Sequence, residues 1–379
     1  MREMGSSERN MSSHGHANSG RVAQLDSLRG IAAMTVVWYH WHSAIYIPKV
    51  RWYLAPFFAG HEAVILFFVL SGYVLSLPTW TKRTAAYPEY LVRRVSRIYL
   101  PYLAAAFLAG IGCYFYCGSR LPLTPWFYAT WQTPLSAQVV WQQFVMDPRS
   151  VLNTAFWSLR YEMQMSLIFP FLCLLMMRTG RHSGIAMVGA TCLVSYLTLR
   201  TPFGHTDLAL TVYYAIFFIA GAALAREQEV LNQYAARMGK PALWAALVVS
   251  FVAYSYSSTI LRSQRWSGLL TGAGTLGLIF LIQDPRMHLG LKSAVPEYLG
   301  RISYSLYLLH GTVLFAGMNL LYGKVPLPAL AIMYVVASVA VAHVFCVLVE
   351  EPSLRLGKRV AKWMKETRAE RKLHAAKVA

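Results

Sequence analysis

QLDSLRGIAAMTVVWYHWH, residues 24–42, is an apolar stretch of helix length with Arg29 near its start and His40 eleven residues further on. At about 100° per residue, eleven steps return to within about 20° of the starting face, and at about 1.5 Å per residue they rise about 16 Å. Arg29 and His40 therefore share a face. If this helix crosses a bilayer, the guanidinium sits at the edge of the hydrocarbon and the imidazole near its middle. An ionisable group there is costly and by default functional.

The rest of the chain calls for a bilayer. Its 379 residues are 56% hydrophobic and only 13% charged, against about 25% charged in an ordinary soluble domain. The apolar surplus is gathered into runs long enough to cross a hydrocarbon core of about 30 Å. Ten such stretches lie near residues 27–47, 60–78, 99–117, 162–178, 183–199, 209–225, 241–260, 266–283, 302–322 and 327–349. The expected fold class is an all-α membrane protein with about ten transmembrane helices, and an even number puts both termini on one side. With both termini cytoplasmic, about three quarters of the 35 lysines and arginines fall on inner segments, the positive-inside bias of a multispanning chain.

The net charge of +19 is thus explained by topology, and nucleic acid is not an expected partner. Residues 1–21 are polar and Gly/Ser-rich, and read as a disordered cytoplasmic tail without the apolar stretch of a signal peptide. Residues 22–352 form the membrane domain. Residues 353–379 are a basic cytoplasmic tail, with Trp363 and Leu373 among the cations, suited to membrane lipids of an anionic inner leaflet. Cys113, Cys117, Cys173, Cys192 and Cys346 all fall in or at the ends of spans and read as small buried apolar residues. No metal-ligand spacing is found, so no metal is expected.

Between the second and third spans, Arg93 and Arg94 stand side by side and Arg97 follows a turn later, among Tyr90, Leu91, Val92 and Ile98. This is the pattern of an interfacial helix, and its guanidinium groups suit anionic oxygens. Residues 118–160 form the longest loop, expected outside, with Trp126, Trp131, Trp141 and Trp157 as belt anchors or as stacking surfaces for a sugar. The loop leads to Glu162, an acid placed at the outer membrane edge. In the ninth span Ser303, Tyr307 and His310 make one polar stripe, giving His40 a partner across the membrane interior. In the tenth, His343 and Glu350 are seven residues apart and share a face, and Pro352 ends the helix.

Basic groups at the inner end suit a phosphate-rich ligand, and a neutral histidine suits general-base work. The rise of about 16 Å from Arg29 to His40 is of the order of an extended pantetheine arm. A cytoplasmic coenzyme A with its phosphates on arginines could thus deliver a thioester to His40.

The segment LDSLRGIAAMTVVWYH (25–40) resembles the Arg-x10-His signature of the membrane acyltransferase 3 family. FFVLSGY (67–73), RRVSRIYLPYL (93–103), FWSLRYE (156–162), ISYSLYLLH (302–310) and VEEP (349–352) resemble further motifs of that family in the same order. The resemblance implies ten spans in the inner (plasma) membrane. It also implies transfer of an acyl group, usually acetyl from acetyl-CoA, to a hydroxyl of a sugar, a lipid-linked glycan or a natural product. It assigns donor binding to Arg29, Arg94 and Arg97, with Arg93 beside them, and the role of base or acyl carrier to His40. Glu162 and His310 carry over as further catalytic residues. Many relatives have an acid just before the FF pair, where this chain has Ile65 and Leu66. The rival reading is a transporter or exporter, for which ten spans with midplane ionisable groups are equally natural.

Overall fold

A computed structural model of the chain describes residues 4–46, 51–82, 84–149, 151–180, 182–198 and 200–378, with side chains from residue 23 onward apart from those of 203, 205 and 378. The expected end of the first span at residue 47 lies outside these, as do residues 1–3 of the N-terminal tail. The described secondary structure is helical, apart from one bridge between Tyr322 and Val325.

In chain order the α-helices are α1 (Met4–Ala44), α2 (Gly60–Trp80), α3 (Tyr87–Tyr116), α4 (Pro125–Tyr128), α5 (Ala137–Phe144), α6 (Trp157–Arg178) and α7 (Ser183–Thr198). They continue with α8 (Asp207–Ala236), α9 (Lys240–Ser255), α10 (Ser257–Ile260), α11 (Gln264–Leu281), α12 (Ala294–Leu321), α13 (Leu327–Phe345) and α14 (Glu351–Val378). A helix lies at each of the ten predicted stretches. Among the described residues, six helical segments are long and apolar enough to cross a membrane: Gly60–Trp80, Tyr87–Tyr116, Thr154–Arg178, Asp207–Ala236, Ala294–Leu321 and Leu327–Lys377. Ser183–Thr198 and Lys240–Ser255 are apolar but shorter.

Local chemistry sets where several of these helices begin. Proline occupies the first turn of α3, α4, α9 and α13, where its missing N–H has no intrahelical partner to lose. The hydroxyls of Thr124, Ser136 and Thr206 accept from the backbone amides of Phe127, Val139 and Ala209 and so cap α4, α5 and α8.

Two parallel pairs organise the interior. α1 runs along α12 and meets it where Gly30 faces Gly300. A Cβ on Gly30 would lie 2.4 Å from the Gly300 nitrogen, and one on Gly300 would lie 2.5 Å from the Asp26 oxygen. Both backbones therefore need glycine at this approach. α2 runs along α8, with Gly72 against Phe218 and Gly221 against Val69. Small residues let helices approach where lipid supplies no hydrophobic drive.

A Cβ on Gly72 would sit 2.0 Å from the Phe218 carbonyl oxygen, which cannot swing away as a side chain could. Gly72→Ala is therefore expected to destabilise the protein by about 1–3 kcal/mol. Thermal unfolding in detergent checks this, with Gly110→Ala as control, since a Cβ there meets nothing within 4 Å.

Between α13 and α14 the chain makes one π-helical turn, Cys346–Glu350. The extra residue slips the register that would put His343 and Glu350 on one face. His343 is exposed and its Nδ1 lies 3.2 Å from the Tyr298 hydroxyl, whereas Glu350 is turned inward and accepts from the Ser305 hydroxyl at 2.5 Å. The basic tail is helix α14, laid along α3 with Gly357 against Ser96 and Arg368 paired to the buried Glu89 at 3.2 Å.

Candidate active site

The glycine contact fixes the register of α1 on α12. Ten residues beyond Gly30 is His40, and ten beyond Gly300 is His310, so parallel helices bring the two imidazoles to the same depth. His40 Nδ1 lies 2.6 Å from His310 Nε2. His310 Nδ1 lies 3.0 Å from the Leu306 carbonyl oxygen.

A carbonyl only accepts, so Nδ1 of His310 carries the proton. With both rings neutral, its Nε2 then accepts from His40 Nδ1–H. That leaves the lone pair of His40 on Nε2, which makes no hydrogen bond among the described residues. Two hydrogen bonds in series thus orient one imidazole and leave its Nε2 free to accept a proton. His310 is fully buried behind His40, and it does not line the cavity that His40 lines.

The segment between α3 and α6 supplies the other face of His40. The Trp126 indole on α4 stacks on the imidazole, with centroids 5.0 Å apart and 26° between planes. This segment is tied down by buried bonds. Trp131 donates from Nε1 to the Leu152 carbonyl at 2.9 Å, and Tyr102 donates to the Gln143 carbonyl at 3.0 Å. Asn153 takes the Ala155 amide at 2.9 Å and donates to the Leu308 carbonyl at 3.0 Å, pinning the segment beside His310. Of the four tryptophans noted in the sequence, Trp126 covers His40, Trp131 packs the loop, Trp157 lines the cavity of His40, and Trp141 is exposed.

His40 lines a cavity of about 330 Å³ with Tyr39, His61, Trp157, Tyr214 and Gln264. A second cavity, of about 530 Å³, is lined by Arg29, Arg94, Arg97 and Arg301 together with Asp26, Glu162 and Glu350. Its arginines come from α1, α3 and α12, and its acids from α1, α6 and the π-turn. Arg29 pairs with Asp26 at 3.0 Å, Arg94 with Glu162 at 3.2 Å, and Arg301 with Glu351 at 2.6 Å. Arg94 is also held by the Ser166 hydroxyl, at 3.1 Å from Nε and 2.9 Å from Nη2. Arg97, exposed to the cavity, has neither an ion pair nor a hydrogen bond among the described residues.

Several residues stand elsewhere than the sequence led us to expect. Glu162 is in the arginine cavity, bonded to Arg94, and not at the outer mouth. It lies more than a turn inside α6, which carries it inward from the outer loop. Its neighbour Arg160 instead pairs with Asp207 at 3.1 Å. Arg93 is exposed outside the cavity, with its Cα near Gly357 of α14, because it sits one residue round the helix from Arg94. Sequence reasoning passed over Arg301, which looks like an inner anchor, yet it follows Gly300 as Arg29 precedes Gly30. It also passed over Ser166, and it offered Trp126 as a belt anchor or a stacking surface for a sugar, not as the cover of His40.

His310→Ala is expected to lower the turnover of the acyl-transfer reaction by up to about 10⁴-fold, the scale seen when the orienting partner of a catalytic imidazole is lost. The pH–rate profile should change and the donor KM should not. His310→Gln, whose amide oxygen can accept from His40 Nδ1, should recover part of the rate. Steady-state kinetics across pH checks all three.

Comparison with known proteins gives this geometry its setting. A family model described as an acyltransferase domain, of the acyltransferase 3 type, matches residues 22–349. The chain is similar to "Acyltransferase MdmB" of Streptomyces mycarofaciens, 24% identical over 377 residues that cover 89% of this chain and 93% of that protein. No solved structure matches. A match running from before Arg29 into the π-turn takes in the paired histidines, the His40 cavity and all the lining of the arginine cavity but Glu350 and Leu354, and the chain belongs to the acyltransferase 3 family of membrane acyltransferases.

Proposed function

We propose that the chain is an integral inner-membrane O-acyltransferase. It moves an acyl group, acetyl in the first instance, from cytoplasmic acyl-CoA to a hydroxyl of a cell-surface glycan or lipid-linked sugar. The observation that carries this reading is the hydrogen-bonded series His40, His310, Leu306, which leaves a lone pair on His40 Nε2. The cavity of four arginines, about 530 Å³, supports it from the donor side, since that volume falls in the range of sites for molecules of cofactor size. Arg97 brings an unpaired cation, and Arg29 and Arg94 bring guanidinium forks already oriented by their acids. Their role is to hold the phosphates of the donor.

In the reaction, His40 Nε2 takes the proton of the acceptor hydroxyl as its oxygen bonds to the acyl carbon. The carbon–sulfur bond breaks, and the proton passes from His40 to the departing sulfur. Transfer through an acyl group held briefly on His40 uses the same atoms in two steps. Positioning in a water-poor cavity favours either route.

The proposed topology has ten spans with both termini cytoplasmic, α14 meeting the anionic inner leaflet. The parallel pairing of α1 with α12 and of α2 with α8 supports it, because alternating crossings make odd-numbered spans parallel to one another and even-numbered spans likewise. Acetyl-CoA is expected to raise the melting temperature of the purified protein in detergent, and acceptor addition should release free thiol. A transporter of glycans or small metabolites would show neither.

A further inference from the structure

The arginine cavity and the His40 cavity have two lining residues in common, Val64 of α2 and Tyr307 of α12. Both are 5% exposed. Tyr307 is tied to both sides. Its hydroxyl donates to the Ala155 carbonyl at 3.0 Å, and Ala155 lines the His40 cavity. It accepts from the Ser158 hydroxyl at 2.7 Å, and Ser158 lines the arginine cavity. Phe67, also in the arginine cavity, meets the Tyr307 ring edge-on at 5.6 Å and 81°. Along α12, Tyr307 stands between Arg301 and His310, three residues or about 4.5 Å short of the histidine.

An acyl arm anchored by its phosphates on the arginines must pass this point to bring its thioester to His40. We propose that Tyr307 is the movable partition between the donor and acceptor cavities, a positioning residue that closes them off from each other and turns aside for the acyl arm. The inference rests on the acyl-CoA reading for what passes, and on the two cavities alone for the wall.

Among the described residues, two hydrogen bonds hold the phenol across the gap. An arm that carries amide groups can replace them, offering a carbonyl to Ser158 as the ring swings away. A wall is needed because a joined cavity would let outer water reach the donor. Water oxygen would then bond to the acyl carbon as the carbon–sulfur bond breaks, releasing free acid and thiol with no acceptor modified.

The test reads access, not activity. Gln264→Cys places a thiol in the His40 cavity, on a background with the five native cysteines replaced by serine. An anionic alkyl thiosulfonate is added to sealed vesicles from the face onto which the arginine cavity opens. With Tyr307 in place, labelling of this thiol is expected to be slow. Tyr307→Ala should speed it by at least about tenfold, equivalent to about 1.4 kcal/mol off the barrier, and Tyr307→Phe, which keeps the ring and loses both hydrogen bonds, by a smaller factor. Tyr307→Phe also serves if the alanine variant does not fold, as judged by size-exclusion chromatography. Equal labelling rates with Tyr307, Phe and Ala in folded protein would overturn the proposal. Breakdown of acetyl-CoA without acceptor is measured on the same proteins and should rise in Tyr307→Ala. If labelling changes as expected while no protein consumes acetyl-CoA, the partition stands and the donor assignment falls.

Discussion

His40→Ala is expected to reduce acyl transfer by at least about 10³-fold, within the range attributed to a positioned general base. The protein should still insert and melt at close to the wild-type temperature. The side chain lost is nearly buried, but it packs against Trp126 and His310, which remain anchored by Phe315 and by the Leu306 carbonyl. The loss is expected on kcat, because His40 lies about 16 Å along α1 from Arg29, one of the arginines proposed to hold the donor's phosphates. Kinetics on purified protein, with melting as a control for folding, checks it. Acetylation at the wild-type rate in the folded variant would remove His40 from the reaction.

The second large effect separates two arginines that look alike in the sequence. Arg94 is buried and neutralises Glu162, so Arg94→Ala leaves a carboxylate facing the cavity without its partner. Breaking a buried pair from one side costs up to about 3–5 kcal/mol. That variant should lose stability and donor affinity together, and Arg94→Ala with Glu162→Ala should regain stability only. Arg97 makes no ion pair or hydrogen bond among the described residues and faces Glu350 only across the cavity, so Arg97→Ala should melt close to the wild type. Its donor KM should rise about 10- to 100-fold, the equivalent of one charge-assisted hydrogen bond of about 1.5–3 kcal/mol. Melting curves and donor titrations on the three variants distinguish structural pairing from phosphate binding.

What could be read beforehand follows from which contacts are local. Arg29 and His40 lie on one helix, where a spacing of eleven fixes both face and depth, and the structure keeps them on α1. The stripe of Ser303, Tyr307 and His310 was legible for the same reason, and all three are buried. Contacts between distant segments were legible only in outline, as in the partner that this stripe offered His40. That His310 touches His40 depends on Gly30 meeting Gly300, a backbone approach between residues 270 apart that carries no side-chain signal. Glu162 was placed at the outer mouth because its loop was outer, but a few residues of helix move a side chain most of the way from one cavity to another. Glu350 faces inward through a single π-turn, which apolar periodicity in a span hydrophobic on every side does not reveal. Arg301 was hidden by its surroundings, since an arginine at an inner helix end is what topology alone would place there.

On the proposed function, an acyl group crosses from a donor at the arginine cavity to a hydroxyl at His40. The most direct test gives isotope-labelled acetyl-CoA to the cytoplasmic face of inverted membrane vesicles that carry the chain. Label is then measured as alkali-labile ester in the outer-face glycan fraction. The account predicts ester in vesicles with the wild-type chain and none above background with His40→Ala. Label that remains in acetyl-CoA or free acetate, or ester that is equal in vesicles lacking the chain, would contradict it.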